Sequence, residues 1–592
     1  MNLVKFEKWN AIIASVAFLI ALVTYSLTVE PTASYWDCAE YISTSAKLQI
    51  GHPPGAPLFQ MLGAFFSSFA LENEKIALMV NMMSVFASAF TILFLFLTTT
   101  IIGKKIVLKN NSISNSNAIT ILGSSLIGSL CFTFSDSFWF NAVEAEVYAM
   151  ATMIMALLFW LGFKWEENID KKGGDRWLVL ISFVVGLSFG VHFMGLLVIP
   201  AIGMIYFFKK NPSPTFKGFV LANILSVTIL LFIFKLLLPS SLGLFGYLEV
   251  FFVNNLGLPF NSGTIFSALL IIAFFYFGIK KTREKKWIKI NTFLLCVMFV
   301  FIGFSSWLMI PIRSNANTVI NENAPSDARA LLAYYNLEQY PDTHLFYGPM
   351  FSDAYAGQDP NNPYKDDKPK YEKDLLKNKY IIVNDWESGK INSNNEHVGF
   401  LPRMWSADKA SNYMNYFGYL DFEIKNEYKS EDKLTEIVNQ FKADFNEGDI
   451  DSNGYHEFLT QYGGYLDINK PNLFSNLKYL FQYQMSSMYW RYFMWNFSGK
   501  QNDLQWKYDL LNGNWISGIK FIDELRLGSQ ENLSSDVLNN KGRNKYYFLP
   551  LILGIIGLLF LFKEDKNLFW IVTLLFLFTG LALKVYLNER IF

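Results

Sequence analysis

Long uncharged apolar runs recur along this chain, and nothing else in the sequence restricts its fold as much. About 20 apolar residues cross a bilayer as a helix. In lipid, a helix is the one single-segment structure that satisfies its own backbone polar groups. Eleven segments read as spans: Asn10–Val29, Leu78–Ile102, Ala118–Phe138, Tyr148–Phe163, Trp177–Val191, His192–Phe208, Gly218–Leu238, Thr264–Gly278, Asn291–Ile310, Tyr547–Phe562 and Leu568–Leu583. Several fall short of an ideal span, so the fifth and sixth also read as one bent element. Hydrophobic residues make up 52% of 592 residues, with 57 Phe, which excludes a soluble protein of this size. Formal net charge is zero, so no basic field points to nucleic acid. Cys38, Cys131 and Cys296 are dispersed, leaving neither a disulfide framework nor zinc-ligand spacing. The first run is too long for a cleaved leader, and no Ala-x-Ala site follows it.

Charge in the connections tests the span count. Lys5 and Lys8 precede the first span, which sets the N-terminus in the cytoplasm. Alternation then places Lys104, Lys105 and Lys109 on the cytoplasmic side. Lys164, Lys171, Lys172 and Arg176 follow there, then Lys209 and Lys210, then the basic run from Lys280 to Lys289. The parity holds at every step only if Trp177–Phe208 crosses twice. The expected class is a membrane all-α, multi-pass helical bundle in the inner (plasma) membrane, with its large polar segment extracytoplasmic.

Residues 1–311 form the expected transmembrane module, with a long first outer loop at 30–77. Residues 312–546 are polar and rich in Tyr, Asn and Asp, long enough for an α+β or α-rich domain of their own. Within them, "EDKLTEIVNQFKADF" and "NLFSNLKYLFQYQMSSMYWRYFMW" carry helical periodicity, and "KYIIVNDWE" alternates as a strand. Residues 547–592 add further spans, and the end at "LNERIF", directly after a span, reads as a fragment end.

The first outer loop concentrates the chemistry. "YWDCAEYISTSAKLQIGHPPGAP" places Asp37, Glu40 and His52 beside the membrane. Ser34 is a fair N-cap and Gly51 a natural stop, so Tyr35–Ile50 is expected as a short helix. The Pro53–Pro54 pair enforces a turn, and Pro57 opens a second, apolar helix on the bilayer surface. Two readings stand side by side. In one, Asp37 completes a capping box, Glu40 is solvated and His52 is a turn residue. In the other, a carboxylate here is a general base.

Glu144 and Glu146 in "SFWFNAVEAEVYAM" lie on the same expected side. They either cap the fourth span or join the first cluster. Two apart on one helix, they would point to different faces, so at most one enters a shared cavity. Near-membrane ionisable groups are functional candidates by default. His192 begins the sixth span as either a hydrogen-bonded structural residue or a site residue. Arg313 emerges after the ninth span as an interfacial anchor or a phosphate clamp. In "DIDSNGYHEFLT", Thr460 stands where a calcium loop needs a bidentate Glu, so the stretch reads as a helix-capping turn.

"PTASYWDCAEYISTSAKLQIGHPPGAPLF", "WFNAVEAEVYAM" and "GLSFGVHFMGLLVIPA" resemble the multi-pass family of transmembrane-protein-260-like protein O-mannosyltransferases. "IPIRSNANTVINENAPSD", "EQYPDTHLFYGP" and "MYWRYFMWNFSGKQND" extend the likeness into the polar segment. The resemblance implies a GT-C-like glycosyltransferase fold in which the first outer loop supplies catalytic carboxylates. Asp37 is then the expected base, with Glu40, Glu144 or Glu146 as partners or alternatives. His52, His192, Arg313, Arg403 and Arg491 are the candidates for donor or phosphate binding. The implied reaction moves mannose from a polyprenyl-phosphate donor to Ser or Thr of exported proteins by single displacement. No metal ligand set is assigned, and a divalent ion has no support in the sequence. Another sugar or a glycolipid acceptor on the same fold, a polyprenyl-lipid flippase, and an inactive assembly subunit are the alternatives.

Overall fold

The computed structural model describes residues 3–107 and 113–591, so Lys109 lies outside the described residues. All eleven apolar segments are helical, and the protein is a multi-pass membrane all-α protein. Among the described residues, nine helices are long and apolar enough to cross a membrane. The two remaining segments form the shorter helices Asp175–Ser188 and Leu549–Glu564.

The chain divides into two compact units, Met1–Tyr340 with Leu549–Thr579, and Pro341–Phe548 with Gly580–Phe592. In the first unit the order is α1 (Leu3–Leu27), α2 (Cys38–Lys47), α3 (Pro57–Ser67), α4 (Ile76–Val107), α5 (Asn115–Thr133), α6 (Asp136–Ala142), α7 (Val147–Asn168), α8 (Asp175–Ser188) and α9 (Ile199–Lys210). There follow α10 (Phe216–Asn255), α11 (Ser262–Glu284), α12 (Ile288–Ser314) and α13 (Ala328–Tyr335).

Glycines set the tightest crossing. Gly186 of α8 and Gly303 of α12 lie against each other's backbones, where a Cβ on either would collide with main-chain atoms. Small residues at a lipid-embedded crossing allow this approach, and dispersion then replaces the missing hydrophobic drive. Between α8 and α9 the chain breaks over Phe189–His192. The Trp307 indole N–H fills the break, donating to the Phe189 carbonyl at 2.8 Å. The backbone N–H groups of Leu58 and Phe59, at the start of α3, both donate to the Gly190 carbonyl. That break therefore anchors α3, the apolar helix of the loop at residues 30–77.

The second unit carries its own aromatic core, around Phe351, Tyr413, Phe441, Phe458, Tyr479 and Tyr483. Phe441 and Phe458 stack at 3.6 Å between ring centroids. Four two-stranded antiparallel ribbons decorate the unit, pairing Tyr347 with Phe400, Tyr364 with Ile391, Tyr371 with Ile382 and Phe422 with Ile468. The expected helix in "EDKLTEIVNQFKADF" spans Asp432–Glu447, and the expected strand in "KYIIVNDWE" spans Lys379–Ile382. "NLFSNLKYLFQYQMSSMYWRYFMW" is helical, with a π-helical centre at Leu480–Trp490. Asp451 accepts from the backbone N–H groups of Asn453 and Gly454, the helix cap expected there in place of a calcium loop.

Candidate active site

The loop at residues 30–77 folds differently from its sequence pattern at both ends of its first helix, which runs Cys38–Lys47. The helix is shorter than Tyr35–Ile50: α2 starts at Cys38, and Asp37 at its N-cap position makes no side-chain capping bond. Ser34 does not cap it either. Its hydroxyl donates to Glu144 Oε2 at 2.6 Å and lies 2.9 Å from Cys38 Sγ. The capping-box part of that reading therefore fails, while Asp37 still stands at the N-cap position, where the helix dipole favours its charge. Asp37 Oδ2 stands 3.7 Å from His52 Nε2, with the Asp37 side chain more than half exposed.

Glu40 is the clamp between helix and loop. One carboxylate oxygen accepts the His52 backbone N–H at 2.6 Å, and the other pairs with His52 Nδ1 at 2.8 Å. Gly51 is required here for space, since a Cβ on it would lie 2.5 Å from Glu40 Oε1. Burial opposes charge on Glu40, yet the ring and backbone bonds from His52 outweigh it and hold the carboxyl below its ordinary range. His52 moves the opposite way. Its bond to Glu40 raises it against burial, helped by the charges of Glu40, Asp37 and Glu322. The sequence had left Glu40 as either solvated or functional; it is neither loose nor free.

Glu144 and Glu146 converge on the same turn. Residues 143–146 are not helical, so the alternation expected on a helix does not apply and both carboxyls are buried. Glu146 Oε1 accepts the Asp37 backbone N–H at 3.1 Å and lies 3.6 Å from Cys38 Sγ. Glu146 occupies the N-cap position of α7 without a side-chain capping bond. Burial raises Glu144. Burial, with the charges of Asp37 and Glu144, pushes Glu146 up to about 7.

That shift has a stability consequence with a definite sign. The folded state binds the Glu146 proton more tightly than the unfolded chain, so this site costs stability as pH rises from about 4.5 to about 7. Glu146→Gln should therefore raise thermal stability in nanodiscs at pH 8, by on the order of 3 kcal/mol at most. The gain should vanish below pH 4.5. Differential scanning fluorimetry across pH reads this directly, and a pH-independent difference would contradict it.

Residues 320–334 complete the site, and the sequence had not singled them out. Ile50 bridges Asn321 in parallel, the Glu322 N–H donates to the Ile50 carbonyl, and the Tyr334 hydroxyl donates to the Gly51 carbonyl. This brace brings Glu322 into the field of Glu40 and His52; burial and the Glu40 charge raise its carboxyl. The only sequence signal was the acid in "INENAPSD", and nothing local ties it to residue 52.

Arg313 is half-buried and serves the same brace. Its Nε donates to the Leu48 carbonyl at 2.6 Å and Nη2 to the Lys47 carbonyl at 3.2 Å, so it closes the C-terminus of α2. Arg313 also lines an open cleft of about 640 Å³, whose walls include Met61, Phe183, Leu187, Ile302 and Met309, with Ser305 and Ser306 as polar members. His192 Nδ1 accepts the Met194 backbone N–H at 3.2 Å, and its ring lies 5.7 Å from that of Tyr148. That bond fits the hydrogen-bonded structural reading. Arg403 and Arg491 belong to the second unit. Arg403 donates to the Val585 carbonyl and to Asn588 Oδ1; Arg491 donates to the Gly513 carbonyl and lies over the rings of Tyr492, Trp495 and Trp506.

Asp37, Glu40 and His52 each offer a ligand atom within 4.8 Å of the others, a donor set that suits a divalent cation. Glu40 and His52 already hydrogen-bond each other, while Asp37 stands 3.7 Å from His52.

Comparison with known proteins falls on this module. Residues 37–215, from Asp37 through both glutamates, match the family model described as the protein O-mannosyl-transferase TMEM260 N-terminal domain. This module is therefore similar to the N-terminal domain of the TMEM260 family over residues 37–215. The protein O-mannosyl-transferase tmem260 of Dictyostelium discoideum is 28% identical over 200 residues, covering 31% of this chain and 22% of that protein. The Mus musculus protein O-mannosyl-transferase TMEM260 is 27% identical over 178 residues, covering 30% and 22%. The chain thus spans about a fifth of the length of the curated relatives it matches. Residues 341–481 match a second model, a family of unknown function named DUF8416. No solved structure matches the chain significantly.

Proposed function

We propose that the protein is a membrane glycosyltransferase of GT-C type that moves mannose from a polyprenyl-phosphate carrier to Ser or Thr hydroxyls of exported proteins. One observation carries this reading: Asp37, an exposed carboxylate that makes no side-chain capping bond, sits over a frame of buried carboxyls drawn from a second loop. Asp37 is the general base. It takes the proton of the acceptor hydroxyl as that oxygen bonds to the anomeric carbon. The carbon–oxygen bond to phosphate breaks on the opposite face, its electron pair leaving with the phosphate, so the anomeric centre inverts.

The cleft beside Arg313 supports the lipid-linked donor. Its walls are apolar enough for an isoprenoid chain, and two of the five guanidinium N–H donors are engaged by carbonyls, leaving others for a phosphate. Arg313 would then join the leaving group to α2, the helix at whose start Asp37 stands. Glu40, Glu144 and Glu146 act by holding the loop rather than by touching substrate. The matches with named O-mannosyltransferases support the sugar and the acceptor class. The acid cluster's gathering beside one loop favours an enzyme over a flippase, which needs ionisable groups along a mid-membrane path.

Intact-glycopeptide mass spectrometry of exported proteins, with and without the gene, tests the proposal. Loss of hexose-rooted glycans from Ser and Thr, restored by the wild-type chain, is the expected result. An unchanged profile would remove the reading.

A further inference from the structure

Trp36 breaks two local rules at once. Its φ is +63°, a left-handed backbone that costs a non-glycine residue about 1–2 kcal/mol. Its side chain is 78% exposed, beside Tyr35 at 81%, so burial offsets none of that cost. The strain is imposed by the residues on either side. Ser34 is tied to Glu144 and the Asp37 N–H to Glu146, which fixes both flanks of the turn. Glycine or asparagine would suit the backbone better and a polar side chain would suit water better. An indole satisfies neither, and strained backbones of this kind cluster at ligand-binding and active sites.

Two features narrow what a ligand here would be. Trp36 immediately precedes Asp37, and the stretch "PTASYWD" offers no bulky aliphatic residue that would enter lipid with it. A flat aromatic face beside hydrogen-bonding carboxylates suits a ligand that is apolar on one face and hydroxylated at its rim, the chemistry of a hexopyranose ring.

We propose that Trp36 is a specificity-determining residue whose indole stacks on the hexose of the lipid-linked donor and sets its angle before Asp37. This rests on the glycosyl-transfer reading above. Tyr35 extends the platform at its rim, and the backbone strain keeps the indole from folding back onto α2.

The test uses the full chain in lipid nanodiscs and compares binding of polyprenyl-phosphate mannose with binding of unglycosylated polyprenyl phosphate. Trp36→Leu should weaken the mannosyl lipid about tenfold or more while leaving the bare phosphate lipid within about twofold; Trp36→Phe should keep most of the preference. Trp36→Gly should lose the preference equally, with a melting temperature no lower than wild type, because glycine relieves the left-handed backbone. Equal weakening of both lipids would mean that the indole seats the loop on the bilayer, and would overturn the proposal. If wild type prefers the mannosyl lipid and Trp36→Leu keeps that preference, the stacking falls while the donor assignment stands. If wild type binds neither lipid, the donor assignment falls and the stacking with it.

Discussion

Asp37→Asn should lower mannosyl transfer by about 10²–10⁴-fold, the range that a positioned general base contributes. The substitution is nearly isosteric, and the Asp37 side chain makes no capping bond, so neither fold nor donor binding should move. Its backbone N–H still reaches Glu146, and its side chain is too far from His52 for a hydrogen bond at 3.7 Å. The loss should therefore fall on kcat, with KM for donor and acceptor held. Reconstituted enzyme, polyprenyl-phosphate mannose and a Ser/Thr acceptor peptide suffice to measure it. Retention of more than about a tenth of the wild-type rate would move the base elsewhere.

Glu40→Ala should cost about 10²-fold in kcat/KM by a different route. Glu40 answers two His52 donors at 2.6 and 2.8 Å, and hydrogen bonds to charged groups contribute about 1.5–3 kcal/mol each before exposure discounts them. Removing it releases the Gly-His-Pro-Pro-Gly loop from α2, so donor KM should rise along with the fall in kcat. Gly51→Ala should produce the same phenotype, because its Cβ would displace the Glu40 carboxylate. That pairing separates a positional role from direct catalysis.

The pH dependence follows from the two shifts. His52, raised, contributes stability that is present below its ordinary range and lost as pH rises through its folded value. Glu40, lowered, contributes stability present above its ordinary range and lost as pH falls through its folded value. Wild type should hold the loop best between those limits, and Glu40→Ala should flatten the window. Loop accessibility across pH, read by hydrogen exchange at residues 48–56, decides it.

Much of this protein was legible before folding. Apolar runs in lipid leave the backbone little choice, so every expected span is a helix, and the short fifth and sixth part where the sequence placed their boundary. The gathering of Asp37, Glu40 and His52 was also readable, because they lie within sixteen residues along one loop. The expected topology already placed Glu144 and Glu146 on the same side as that loop.

What the sequence left undecided needed long-range contacts. Whether Asp37 caps a helix depends on Ser34 and Glu146, which sit more than 100 residues from their partners on the other side of the turn. The glutamates' alternation misled because it assumes a helix where the chain makes a turn. Glu322 and Tyr334 meet the loop through contacts nearly 300 residues apart in sequence, the Ile50–Asn321 bridge and the Tyr334 bond to Gly51, and Arg313 braces α2 over a similar separation. Local sequence determines which residues carry charge and which segments must hide in lipid, since both follow from side-chain chemistry alone. Only tertiary packing decides which charges are desolvated together and which remain open to substrate, because burial is a property of neighbours.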